Sequence, residues 1–137
     1  MAGEKKAIRA ALRATILDEL GEDWTDLGDL DLPEDKDQLP AFAIATPRSS
    51  REGESADSET ISHTVTVTLW RQQTEGVFDA LEDNADQIEG PVRAAIDDIT
   101  SDVRLTLEEE VSADKGSVPA GALRLHFTAV IIEDIAI

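Results

Sequence analysis

The feature that most constrains the fold of this chain is a threonine-rich segment in which apolar and polar residues alternate. One row contains Ile61, His63, Val65, Val67 and Leu69, and the other contains Ser62, Thr64, Thr66, Thr68 and Trp70. Because successive side chains of a strand point to opposite faces, the alternation predicts a strand in an antiparallel sheet with one covered face and one open face. We expect the threonine row to lie on the open face.

Three further segments have the same period and are predicted as strands, so that the four strands cover residues 39–46, 61–71, 102–111 and 123–133. In the last segment the inner row consists of Leu123, Leu125, Phe127, Ala129 and Ile131. In the segment before it, the spacing predicts that Val103, Leu105, Leu107 and Glu109 continue one row.

Two segments have a helical period. Residues 4–20 place an apolar residue at every fourth position, from Ile8 to Leu20, and Gly21 follows as a stop signal. Residues 77–99 keep their apolar phase across Gly90 and Pro91, which predicts two coaxial pieces or one kinked helix. The expected fold is therefore α+β, with the order α-β-β-α-β-β: an antiparallel sheet of about four strands with two helices packed on one face. The 137 residues suit a single domain, 1–137.

Composition excludes several functions. Thirty Asp and Glu against twelve Lys and Arg give a formal net charge of -18, which opposes binding to a phosphate backbone, so we expect no specific binding of nucleic acid. No apolar run approaches the ~20 residues that cross a bilayer, and no membrane partner is expected. The acid excess is typical of a protein from a very salty cytoplasm, but an ordinary acidic protein explains it equally well.

Two polar segments are predicted as loops. Residues 22–38 are acidic, and Trp24 and Leu27 are expected to fix this loop to the core. Residues 47–60 are long for a hairpin connection, and we expect a mobile loop that becomes ordered on a partner, with Arg48 and Arg51 as anchors.

The search for chemistry predicts no catalytic, cofactor-binding or metal-binding residue. There is no cysteine, no glycine-rich phosphate loop and no histidine pair at ligand spacing. His63 and His126 are single residues on different predicted strands, and a structural role is favoured for each. The acids around Asp29 lack the glycine and the final glutamate of a calcium loop at the required offsets.

Two surface features indicate contacts with other molecules. Lys5, Arg9 and Arg13 form a basic row on the first helix, which is either a solvated face or a docking surface for an acidic neighbour. Ile135 and Ile137 belong to an apolar C-terminal tail, which favours a neighbouring chain.

The order of these elements resembles that of a known family. The N-terminal helix (AIRAALRATILDEL), the strand LPAFAI, the polar loop, the threonine-rich strand ending in Trp70, the long helix and the closing GALRLHFTAV together resemble the tail terminator proteins of long-tailed, siphovirus-like phages and related tailed viruses. The similarity is one of pattern and spans nearly the whole chain.

This resemblance implies a structural virion protein and no enzyme. The implied function is a homohexameric ring that caps the head-proximal end of the tail tube, stops its polymerisation and joins it to the neck. Its partners would be further copies of itself, the tail tube protein and a neck or head-completion protein, with assembly in the host cytoplasm and a final place in the tail of the virion. The residues expected at its interfaces are Lys5, Arg9, Arg13, Arg48, Arg51, Trp70, Ile135 and Ile137.

Two other readings remain. Another neck or tail-completion subunit of the same particle would share most of these features. An acidic inhibitor that mimics DNA is a reading from a different class, although mimicry needs carboxylates in rows at phosphate spacing, whereas many acids here fall in predicted loops and helix ends.

Overall fold

A computed structural model describes residues 4–28, 38–55, 58–100, 102–113 and 120–134. The described elements form one five-stranded sheet and two helices. Their bounds are α1 Glu4–Leu20, β1 Thr25–Asp26, β2 Ala41–Ser55, β3 Ser58–Gln72, α2 Val77–Asp97, β4 Asp102–Ala113 and β5 Ala120–Asp134. The strand order in the sheet is β1-β2-β3-β5-β4, and all pairs are antiparallel except β1 with β2.

The predicted α+β class with two helices is confirmed, but the described part of the sheet already has five strands rather than about four. The additional strand β1 lies in the segment predicted as a loop and makes the order α-β-β-β-α-β-β. It is held by backbone hydrogen bonds from Thr25 N–H to the carbonyl of Pro40 and from Leu27 N–H to the carbonyl of Phe42. A strand of two residues is too short to produce an alternating pattern, so periodicity could not reveal it.

The loop predicted over 47–60 is wrong for the residues that are described there. β2 and β3 continue through this segment as a long hairpin, with Arg48 opposite Thr64, Ser50 opposite Ser62 and Glu52 opposite Thr60. Backbone hydrogen bonds build a ladder whatever the side chains, so a strand without apolar residues is invisible to periodicity. Residues 56 and 57 lie outside the described residues, and the mobility of the hairpin end stays a prediction.

The main core lies between the helices and one face of the sheet. α1 contributes Ile8, Leu12 and Ile16, each without solvent exposure, as the predicted four-residue spacing requires. The strands contribute a row that includes Phe42 from β2, and Trp24 packs into the same cluster. α2 continues through Gly90 and Pro91 as one helix and buries Val77, Leu81, Ala85, Ile88, Val92 and Ile96.

A β-bulge in β4 corrects the predicted row of that strand. The pairing with β5 shifts between Leu105 and Leu107, so that Leu105 stands opposite the core residue Phe127 whereas Leu107 stands opposite His126. One extra residue reverses the alternation of every residue that follows it. Leu107 and Glu109 therefore lie on the open face, and 53% of Leu107 is exposed.

A second cluster covers one end of the face opposite the helices. Leu27, Ala41, Trp70, Ala120 and Ala122 form it, with Leu39 and Ala43 packed against them. Trp70 and Thr68 are consequently buried, although the alternation placed both on the open face. The segment around β1 covers this end, so the open face along β3 begins at Thr66.

None of the helices in the described part of the chain combines the length and the apolar character that a membrane-crossing helix requires.

The bulge predicts unequal effects for two leucines on the same strand. Leu105→Ala should lower the free energy of unfolding by about 1–3 kcal/mol, since Leu105 packs against the core while partly exposed. Leu107→Ala should change it by less than about 0.5 kcal/mol, because that side chain is largely in water. Urea unfolding of both variants checks this, and equal losses would contradict the bulge.

Candidate functional site

The open face of the sheet is a polar surface that crosses three strands. Ser62, Thr64 and Thr66 of β3 are partly exposed, as is Thr128 of β5, and Ala45 of β2 is exposed. The pairing sets Thr66 between Ala45 and His126, so these residues share one face. We call this surface the threonine face.

His126 forms the centre of a hydrogen-bonded group on the threonine face. Its Nε2 lies 2.8 Å from Oε1 of Glu109 on β4, and its Nδ1 lies 3.1 Å from Oγ1 of Thr66 on β3. A carboxylate can accept but not donate, so Nε2 carries the proton and donates it to Glu109. In the neutral ring Nδ1 then accepts from the hydroxyl of Thr66. The group thus ties three neighbouring strands together.

The carboxylate of Glu109 also faces a cation. Nη1 of Arg124, the residue opposite Glu109 in the ladder, lies 3.8 Å from the same oxygen. The hydrogen bond from His126 holds the pKa of Glu109 below its ordinary value of 4.5, against a smaller opposing effect of desolvation. Glu109 is therefore a stable anion that offsets the charge of Arg124.

The order hydroxyl, imidazole and carboxylate resembles a catalytic triad, but its surroundings favour a structural tie. An acyl-transfer site needs free backbone N–H groups that stabilise an oxyanion, and Thr66 lies in the middle of a strand paired on both sides. The group is also on an open sheet face instead of in a pocket that would hold a substrate.

His63, the other histidine, is buried on the helix side of the sheet with 5% of its surface exposed. Oγ of Ser49 lies 2.7 Å from its Nδ1. The pair joins β2 to β3 inside the hairpin, in the part of β2 that periodicity missed. Both histidines thus have partners that could not be seen from the sequence, because the partners lie on other strands and their positions depend on register.

The basic row of α1 is used largely within the chain. Arg9 donates from Nη1 to Oγ1 of Thr46 at 2.5 Å, and Nε of Arg13 lies 2.5 Å from Oδ2 of Asp26. Lys5 is partly exposed. The row therefore fastens the helix to β2 and to the β1 segment, and Arg9 and Arg13 are less available to a neighbour than the sequence indicated.

The structure does not bring the remaining predicted interface residues together. Arg48 and Arg51 occupy positions in the outer half of β2, opposite Thr64 and Ile61. Trp70 is fully buried in the second cluster, so its predicted place at an interface of the folded chain is wrong. Ile135 and Ile137 lie outside the described residues.

A cleft of about 320 Å³ opens at the start of α2, lined in part by Pro40, Arg71 and Glu75. The guanidinium of Arg71 already has partners within the chain. Its Nε donates to Oδ1 of Asn84 at 2.8 Å, and the group lies 5.2 Å from the centre of the Trp24 ring. The carboxylate of Glu75 opposes an anionic ligand there. Across the described ranges, no group of three or more His, Asp or Glu side chains is placed to hold a metal ion.

No protein-family model matches the chain, and no curated protein matches its sequence.

The hydrogen bond from His126 predicts the titration of Glu109. In His126→Gln the pKa of Glu109 should rise toward 4.5, because the main cause of its depression is removed. A carboxyl group whose pKa is lowered in the folded protein stabilises the fold above pH 4.5, and this stabilisation is lost as the pH falls through its folded-state pKa. The difference in free energy of unfolding between parent and variant should therefore become smaller at acid pH. Carboxyl NMR titration and unfolding at several pH values measure both.

His63→Gln is the control for this experiment. The described contact of His63 is with a hydroxyl, and the change should leave the titration of Glu109 unaltered. An unchanged Glu109 midpoint in His126→Gln would contradict the assigned hydrogen bond.

Proposed function

We propose that this chain is a structural virion protein: a tail terminator subunit that forms a homohexameric ring, caps the head-proximal end of the tail tube, stops its polymerisation and joins it to the neck. Further copies of the chain, the tail tube protein and a neck protein are its partners under this proposal. Its place is the tail of the virion.

The observation that carries the proposal is the difference between the two faces of the sheet. One face is buried under both helices, and the other remains polar and open along β3 and β5 beyond the second cluster. A subunit that forms the wall of a ring needs one face with a core of its own and another that tolerates water, and a single sheet with helices on one side provides both.

The chemistry of the threonine face suits a channel through which DNA passes. Hydroxyl groups are neutral, and the cation at its centre, Arg124, faces the anion Glu109, which also accepts a hydrogen bond from His126. Phosphates bind to clustered and uncompensated cations, and this surface offers a compensated pair within a chain of net charge -18. DNA would therefore slide along such a surface without being held.

The proposal predicts the oligomeric state. Purified protein should sediment as a single species of six subunits and appear in negative-stain electron microscopy as a closed ring with six-fold symmetry. A second functional readout is the length of tail tubes polymerised with and without the protein. Tubes should stop growing when the protein is present. A protein that stays monomeric, or tubes that grow past it unchanged, would contradict the proposal.

The net charge predicts how salt affects assembly. Subunits that each carry -18 repel one another at a distance, and screening shortens this repulsion from about 10 Å at 0.1 M salt to about 3 Å at 1 M. The ring should therefore form at lower protein concentration as sodium chloride increases. Sucrose at matched osmolality is the control for effects other than screening, and dissociation at high salt would overturn the expectation.

A further inference from the structure

Both outer edges of the sheet carry strands without a partner strand among the described residues. β4 forms one edge along its full length. At the other edge, β1 covers β2 at Ala41 and Phe42, and the rest of β2, residues 43–55, has no partner strand on that side among the described residues; we call it the free edge of β2. Unpaired backbone N–H and C=O groups of an edge strand are a template for another strand.

We propose that the free edge of β2 in one copy pairs antiparallel with the edge of β4 in the next copy, so that the sheet continues from subunit to subunit around the ring. The inference rests on the proposed function, because it names the contact that closes the same ring. Its occupant is a second copy of this chain.

Strand direction supports this partner. β2, β3, β5 and β4 alternate in direction, so β4 runs opposite to β2. A copy related by rotation about an axis parallel to the strands keeps its own direction, and its β2 then meets β4 antiparallel. Antiparallel pairing is the stronger of the two ladder types. The contact uses two different surfaces, which is the heterologous type that closes rings.

The two edges also match in length and, up to Gly53, in register. Setting Ala43 opposite Ala113 leaves Gly53 opposite Val103, because the β2 bulge between Ala45 and Arg48 and the β4 bulge between Leu105 and Leu107 compensate; the second register shift of β2 lies beyond this stretch, between Gly53 and Ser55. Both Ala43 and Ala113 belong to rows of the threonine face, through their pairing with Thr68 and Ala120. Beyond the first bulge, the same alignment places Ser50 opposite Leu107, and both of these residues also belong to rows of the threonine face.

This alignment also places opposite charges on facing positions. Between the two bulges it places Arg48 opposite Glu109, and beyond the second bulge it places Glu52 opposite Arg104. Opposite charges on facing positions of a ladder stabilise it, and like charges destabilise it. Arg104 is 69% exposed, and its described ion pair, with Asp102 at 3.5 Å, is also open to water. Bulges and charges discourage pairing with arbitrary strands while permitting this one.

The position of the helices gives the orientation of the wall. A ring has more room on its outer circumference than on its inner one, so the two helices lie outside and the threonine face lies toward the axis. Exposed Leu107 then lies at the joint, beside Ser50 of the neighbouring strand.

Disulfide crosslinking tests the contact, because the chain contains no cysteine. Ser50→Cys combined with Leu107→Cys should give a ladder of covalent multimers on a non-reducing gel after mild oxidation. A disulfide needs Cα atoms about 4.4–6.8 Å apart, whereas β2 and β4 of one chain are separated by two strands, about 14 Å, so each bond reports two copies.

The matched control is Ser50→Cys with Glu108→Cys. Glu108 is exposed on the same strand, but it belongs to the opposite row, so its Cβ points away from that of residue 50. A ring in the microscope with no ladder from Ser50 and Leu107, or with equal ladders from both pairs, would overturn the edge contact and leave the proposed function standing. Absence of any self-association would overturn both.

A charge exchange tests the same register without oxidation. Arg104→Glu should weaken association by at least about tenfold, and adding Glu52→Arg should restore it, because the facing charges become opposite again. Glu52→Arg with Arg93→Glu has the same net charge, and Arg93 is exposed on α2, so this control should remain weak. Melting temperatures confirm folding, and equal recovery in both double variants would overturn the proposed register.

Discussion

The structure depends on the antiparallel pairing of β3 with β5, which joins the two hairpins into one sheet. This ladder runs without interruption from Ser58 opposite Asp134 to Gln72 opposite Ala120. Val65, Val67 and Leu69 from one strand and Leu125 and Phe127 from the other belong to one core cluster with residues of both helices. Because the side-chain period of a strand is two, a slip of one residue here would turn every one of these side chains into water. The apolar alternation of both strands therefore fixes the register on which the rest of the fold is built.

The parts of the fold that could be predicted from the sequence are those in which burial repeats with a regular period. α1 and α2 have stripes of apolar residues, and β3 and β5 have alternating rows, so their existence and their buried faces followed directly. The predictions failed where backbone hydrogen bonds act without apolar side chains. β1 and the polar half of β2 exist because a neighbouring strand offers a ladder, and the sequence of the segment itself does not reveal that neighbour.

The candidate site was invisible for a related reason. Residues on three strands meet at His126, and Glu109 reaches it because the bulge between Leu105 and Leu107 turns the following residues onto the open face. Without the bulge, Glu109 would face the helices and His126 would lack its carboxylate. The three residue types can be read from the sequence, but the bulge cannot, and the bulge decides on which face of the sheet Glu109 lies.

The acid excess acts differently in different parts of the molecule. Asp26 and Glu109 each face a cation of the same chain, so their charges contribute to packing. Between α2 and β4, by contrast, the pKa of Glu82 is raised above its ordinary value of 4.5, first by desolvation and then by the carboxylate of Glu110. Such a pair works against the compact state at neutral pH. Of the acids of β4, Glu109 thus faces a cation of the same chain, whereas Glu110 faces the carboxylate of Glu82 on α2. A strand that is acidic in this way, at the edge of a sheet, repels other acidic strands, and in the edge contact proposed above one cation, Arg48 of the next copy, would face Glu109.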